Sequence, residues 1–225
     1  MNKLWVPRIL PFATYMVFIL IQEVLEAVIP HKISTSNLIP FIYIIQIVSV
    51  TILLAIFWKS YDELHEFKFT LKSIMFAIIA GLLVFAIWIN MDWEITTISE
   101  PVQYNPQVLS QENLGYIYLA IRIAGSSLIV PIFEELFWRS FILRYIISPE
   151  YHQVKLGTFT WPSFLISSLL FGLEHHFILA GIMAGLFYNM ILYKTKNLYY
   201  CIIAHAITNF ILCIYVVSTG SWHFW

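Results

Sequence analysis

Seven runs of apolar residues, at about 9–29, 38–58, 71–90, 115–147, 161–175, 177–194 and 198–218, take up most of this chain of 225 residues, and about 20 such residues carry a helix across the hydrocarbon of a bilayer. Only 11% of the residues are charged and 60% are hydrophobic, against roughly 25% charged in soluble domains. The pattern predicts an all-α fold, a polytopic transmembrane helical bundle of about seven membrane helices, or eight. The fifth run is short for a full crossing, and the fourth is long enough to tilt or protrude, which leaves room for an eighth helix or a re-entrant piece. No linker, low-complexity tract or fixed-period repeat divides the chain, so residues 1–225 are expected to form a single integral-membrane domain. Gln22, Glu23 and Glu26 stand where a signal-peptide cleavage site would fall, so the first run reads as a retained span.

The basic residues give an expected orientation. With the amino terminus in the cytoplasm, the inner segments hold Lys3, Arg8, Lys59, Lys68, Lys72, Arg144, Lys155, Lys194 and Lys196 out of twelve lysines and arginines. Lys32 falls outside, and the 91–113 loop carries Asp92, Glu94, Glu100 and Glu112 with no basic residue. Seven spans put the carboxyl terminus outside a cell (plasma) membrane. A net charge of −1 gives no basic footprint for nucleic acid. Cys201 and Cys213, twelve apart on one expected helix, read as small buried hydrophobes. Trp5, Trp58, Trp88, Trp93, Trp222 and Trp225 cluster near expected helix ends and read as an interfacial belt. Glu23 and Glu26 line either a water-filled opening or an interface to which they snorkel.

A charge at bilayer depth is costly and marks a functional site whose partners must be found. The fourth run contains Glu134, Glu135 and Arg139; later runs contain Glu174, His175 and His176, and then His205 and Asn209. Glu135 and Arg139 share a helix face, as do His205 and Asn209. Adjacent residues diverge by about 100°, so one of the two glutamates faces a water while the other orients or clamps. Counted from the inner helix ends at ~1.5 Å per residue, Glu134, His175, His205 and Asn209 lie roughly 16, 21, 10 and 16 Å deep. Amide hydrolysis needs a base for water, a donor for the leaving amine and preorganised donors for the oxyanion, and this set contains them. Ser126, Ser127 and Ser140 have no base in spacing and read as packing serines. Ala180, Gly181, Ala184 and Gly185 present small residues on one face, which permits close approach by a neighbouring helix.

Glu134-Glu135-Leu-Phe-Trp-Arg139 resembles an E-E-x-x-x-R motif, Phe171-Gly-Leu-Glu-His175 an F-x-x-x-H motif, and His205-Ala-Ile-Thr-Asn209 an H-x-x-x-N motif. Their order is that of the CAAX protease and bacteriocin-processing intramembrane peptidases. The resemblance spans about residues 115–218, the expected catalytic core. The 133–147 and 158–205 stretches resemble the CAAX-protease-related subgroup that accompanies exosortase systems; the first hundred residues match no motif.

The resemblance implies an intramembrane endopeptidase cutting near the carboxyl terminus of a membrane-anchored protein or lipidated peptide, prenylated or otherwise sorted. It implies that Glu134 and His175 activate a water, that His205 and Asn209 donate to the oxyanion, and that Glu135 and Arg139 hold these groups in place. No cofactor is expected in this reading. The alternative is a Zn²⁺ held by Glu134, His175 and His205, one carboxylate and two imidazoles, which the nearby Arg139 would oppose. Two non-enzymatic alternatives stand beside it: a proton-coupled transporter using the Glu/His chain as a relay, and an immunity protein that keeps the fold without turnover. Lone buried carboxylates also occur as structural ion pairs, and lone membrane histidines as helix bridges. The three motifs together favour the enzyme.

Overall fold

The computed structural model describes residues 4–28, 35–65, 70–91 and 112–224. Lys3, Lys32, Glu66, Lys68, Asp92, Trp93, Glu94, Glu100 and Trp225, and the side chains of Glu26 and Glu112, lie outside the described residues. The elements are α1 (Val6–Val28), α2 (Thr35–Ile56), α3 (Leu71–Trp88), α4 (Glu112–Ala124), α5 (Val130–Glu135), α6 (Leu143–Ile147), α7 (Trp161–Leu173), α8 (Ile178–Thr195) and α9 (Leu198–Thr219). No strand occurs among the described residues. Two wide-turn π segments, Gly125–Ile129 and Leu136–Ile142, join α4, α5 and α6 into one continuous rod.

Among the described residues, six helical stretches are long and apolar enough to cross a membrane, Gly115–Ile147 being the longest at 33 residues. The seventh, α7, has 13 residues and reaches only about 20 Å, short of the ~30 Å hydrocarbon core. The expected seven helical units are therefore six full spans and one short helix. Polarity is distributed as lipid demands. Phe41, Ile45, Leu83 and Leu165 face outward, whereas Gln46, Glu135, Arg139, Asn189 and His205 are buried, because a polar group facing lipid lacks hydrogen-bonding partners.

The helices alternate in direction, and hydrogen bonds tie their ends on the amino-terminal face. Tyr151 Oη donates to Leu4 O at 2.7 Å, Thr70 N to Tyr200 Oη at 3.0 Å, and Tyr199 Oη to Leu64 O at 2.5 Å. Side-chain caps start three helices: Thr70 before α3, Thr160 before α7 and Asn197 before α9, each satisfying an N–H that the first helical turn leaves free.

On the same face, Glu63 accepts from Arg8 at 2.5 Å, lies 3.6 Å from Arg144 and accepts from Ser140 Oγ. Ser140 is thus a hub of an ion network rather than only a packing serine. Burial works to raise the Glu63 carboxyl, but the hydrogen bond and charge of Arg8, with the Ser140 hydroxyl, outweigh it and hold the carboxyl below its ordinary 4.5. A depressed carboxyl stabilises the fold above the unfolded value and ceases to do so as pH falls through the folded one. Wild type is therefore expected to lose Tm from the carboxylate range downward, while Glu63→Gln starts lower and loses less. Thermal unfolding in detergent across acidic pH checks this; parallel curves would refute it.

The small-residue face of α8 does bring a neighbour close. A β-carbon on Gly181 would stand 2.8 Å from Gly172 Cα and 3.2 Å from His175 Nδ1, and one on Gly185 would stand 3.0 Å from Ser168 Cα. Since backbone cannot yield cheaply, Gly181→Ala is expected to lower stability by about 1–3 kcal/mol, read as a drop in Tm. Its methyl also presses on the His175 ring. The α3–α9 contact is equally close: a β-carbon on Gly81 would be 2.5 Å from Ala204 O, and Thr208 Oγ1 donates to Gly81 O at 2.9 Å. These contacts set the position of His205, one residue beyond Ala204.

Candidate functional site

Glu134 and Glu135 end α5 where the rod widens into its second π segment. There Leu143 N reaches back five residues to Trp138 O instead of four. Such widening is frequent at functional sites. Across the junction Arg139 Nη1 donates to Glu135 Oε1 at 3.1 Å, and both side chains are essentially sealed from solvent. Arg139 lies over two aromatic faces, 4.3 Å from the Phe171 ring centre and 5.1 Å from that of Tyr188. The phenylalanine of the F-x-x-x-H motif therefore serves as the floor under the guanidinium.

His205 comes from α9. Its Nδ1 is 2.9 Å from Glu135 Oε1, its Nε2 is 3.8 Å from Glu134 Oε2, and its ring stacks on Tyr188 at 4.9 Å. An ionised carboxylate only accepts, so Glu135 takes the Nδ1 proton of His205 and aims Nε2 at Glu134. At the tip of α7, His175 Nδ1 lies 2.7 Å from Phe171 O. A carbonyl also only accepts, so Nδ1 carries the proton and, in the neutral ring, Nε2 presents the lone pair.

Glu174 gains weight over the sequence reading. Glu174 Oε1 accepts from Trp138 Nε1 at 2.8 Å, which brings its carboxylate toward Glu134. One donor atom each from Glu134, Glu174 and His175 lie within 4.8 Å of one another. His176, its sequence neighbour, is exposed. Glu134 Oε2, Glu135 Oε2, Glu174 Oε2 and Arg139 Nε and Nη2 are buried with no hydrogen-bond partner in the protein. Such unpaired buried polar atoms are unusual in a native interior.

The expected zinc set changes accordingly. Glu174 replaces His205 in the converging trio, because Glu135 already holds the His205 ring. A carboxylate pair with one imidazole fits a divalent cation, and the bond from His175 Nδ1 to a carbonyl is the outer contact that ligating imidazoles commonly make. Asn209 also departs from expectation. Its amide donates to Ser126 O at 2.9 Å, in the first π segment, where the wide turn alters the carbonyl pairing. Asn209 therefore ties α9 to the rod one turn above His205.

Of the six expected residues, Glu135, Arg139 and His205 form one hydrogen-bonded group, Glu134 lies 3.8 Å from His205 and within 4.8 Å of His175, and Asn209 braces α9. Glu174 was visible in the sequence only as a neighbour of His175, and the Trp138 bond that recruits it depends on tertiary packing.

Residues 115–211 match the family described as Type II CAAX prenyl endopeptidase Rce1-like. No curated protein and no solved structure matches the chain. The match covers all three motifs and every residue of the buried cluster. Through residues 115–211, then, this multi-pass membrane chain is similar to the Rce1-like type II CAAX prenyl endopeptidases, a family of intramembrane proteases.

Proposed function

We propose that the chain is an endopeptidase that hydrolyses a peptide bond near the carboxyl terminus of a membrane-tethered protein, with a water as nucleophile. The observation that carries this reading is the convergence of Glu134, Glu174 and His175 within 4.8 Å, beside a histidine oriented by Glu135. Glu134 takes a proton from the water, helped by the lone pair at His175 Nε2, and the water oxygen bonds to the carbonyl carbon. The proton passes to the leaving nitrogen as the C–N bond breaks. His205 Nε2 faces the developing oxyanion; donating there while Nδ1 donates to Glu135 requires both ring nitrogens to be protonated. Arg139 and Glu135 fix that ring, and Asn209 fixes its helix.

The substrate is proposed to be a lipidated or otherwise carboxyl-terminally sorted protein, because a site roughly 16–21 Å from a helix end is reached from within the bilayer. The proposed location is the plasma membrane, and the lysine and arginine distribution supports a cytoplasmic amino terminus and an outer carboxyl terminus. Purified protein in nanodiscs should cut a farnesylated CaaX peptide or a tethered sorting-tail peptide. Failure on both membrane-anchored substrates, with a folded enzyme, would overturn the proposal.

A second reading is favoured by the same trio: Glu134, Glu174 and His175 hold Zn²⁺. A bound zinc would supply Lewis acidity and acidify a water. Chelator treatment and metal analysis of purified protein separate the readings: activity that survives chelation without stoichiometric metal supports the first, and metal-restored activity the second.

A further inference from the structure

On the amino-terminal face, lined by none of the motif residues, a cavity of about 910 Å³ opens among the ends of α1, α2, α6 and α8. Its lining includes Arg8, Lys59, Arg144 and Lys196 against Asp62 and Glu63, four cations to two carboxylates. Arg8 and Arg144 are both buried and share one carboxylate, Glu63, at 2.5 and 3.6 Å. Both guanidinia also lie over the ring of Tyr151, at 5.7 and 5.1 Å. One buried positive charge is therefore left without a matching carboxylate. Asp62 is exposed, as are Lys59 and Lys196 at the rim, and water screens exposed charges far more than buried ones.

The cavity lies at interface level. Trp5, just before α1, and Trp58, just after α2, are 45% and 46% exposed and adjoin the lining residues Leu4 and Lys59 in the chain, as indoles that sit among headgroups do. Basic pockets between membrane helices at this level suit lipid phosphates, with arginine supplying a fixed field and lysine a mobile point charge. We propose that this cavity binds a phosphate-bearing anion, presented by an anionic phospholipid headgroup or free in solution, held by Lys59 and Lys196 in the field of Arg8 and Arg144. The bound anion would neutralise the surplus charge beneath Ser140, the residue that follows Arg139 in the chain.

The test uses the full chain in neutral detergent, titrated with phosphatidylglycerol, with phosphatidylcholine of the same acyl chains, and with inorganic phosphate. The readout is Tm. Phosphatidylglycerol should raise Tm saturably and phosphatidylcholine should not. Lys59→Gln combined with Lys196→Asn should weaken the effect about thirtyfold, at ~1 kcal/mol per lysine. Asparagine suits the left-handed backbone at position 196 (φ 53°). Lys155→Gln, an exposed lysine beyond the cavity lining, should leave the effect intact. If inorganic phosphate reproduces the shift, the source is soluble; if only the lipid does, it is the headgroup, and either result supports the site. The proposal is overturned if the two lipids act alike with no response to phosphate, if the double variant responds as wild type does, or if Lys155→Gln weakens binding as much as the double variant.

Discussion

Glu134→Gln is expected to reduce cleavage by about a thousandfold, within the 10²–10⁴ attributed to a positioned general base, while Tm stays level or rises. Glutamine keeps the shape of the side chain and removes only its capacity to take a proton. The structural cost is small because the hydrogen bond from Arg139 goes to Glu135, not to Glu134, and Glu134 Oε2 has no hydrogen-bond partner, its nearest charged contact being His205 Nε2 at 3.8 Å. Removing a buried carboxylate with no direct hydrogen bond relieves desolvation without orphaning a partner. Glu174→Gln serves as the comparison, since its Oε1 accepts from Trp138 and an amide oxygen still accepts. Under the metal-free reading it should lose far less activity than Glu134→Gln. Under the zinc reading both variants lose activity and bound metal together. Near-normal turnover by folded Glu134→Gln protein would remove the base from the mechanism.

The parts of this site that the sequence reveals are those for which one-dimensional position already carries an energetic cost. Glu134, Glu135, Arg139 and His205 sit in runs that would otherwise enter lipid, so their presence demands partners, and helical spacing names several of them. The small residues Gly181 and Gly185 are readable for a related reason, because a missing side chain on an apolar helix allows close approach. What escapes is whatever depends on how separate segments meet. Trp138 reads as one aromatic among many until α7 places Glu174 beside its indole N–H. The π segments change which carbonyl each N–H reaches, and nothing in a 3.6-residue periodicity announces them. Counting at a constant rise put His205 roughly 11 Å shallower than His175, yet both face the same group of carboxylates, since helix tilt and the placement of α7 absorb the difference. The ion network at Glu63 joins residues 55 and 77 positions apart, beyond any local pattern.

Arg139→Met should be the most destabilising of the site substitutions, at about 3–5 kcal/mol, the cost of removing one member of a buried ion pair. Arg139 is 1% exposed and Glu135 fully buried, so loss of the guanidinium leaves a carboxylate whose remaining hydrogen-bond partner is His205 Nδ1. The methionine also vacates the space between Phe171 and Tyr188, removing two cation–π contacts. Most of the cost is nonetheless electrostatic, and a second variant separates the terms. Adding Glu135→Gln to Arg139→Met removes the stranded charge while keeping an acceptor for His205, so the double variant should regain much of the lost Tm. Activity should not return with stability, because His205 then lacks the carboxylate that orients and supports its protonated ring. If stability and cleavage recovered in parallel, Glu135 and Arg139 would be scaffold alone, and the oriented imidazole would have no part in turnover.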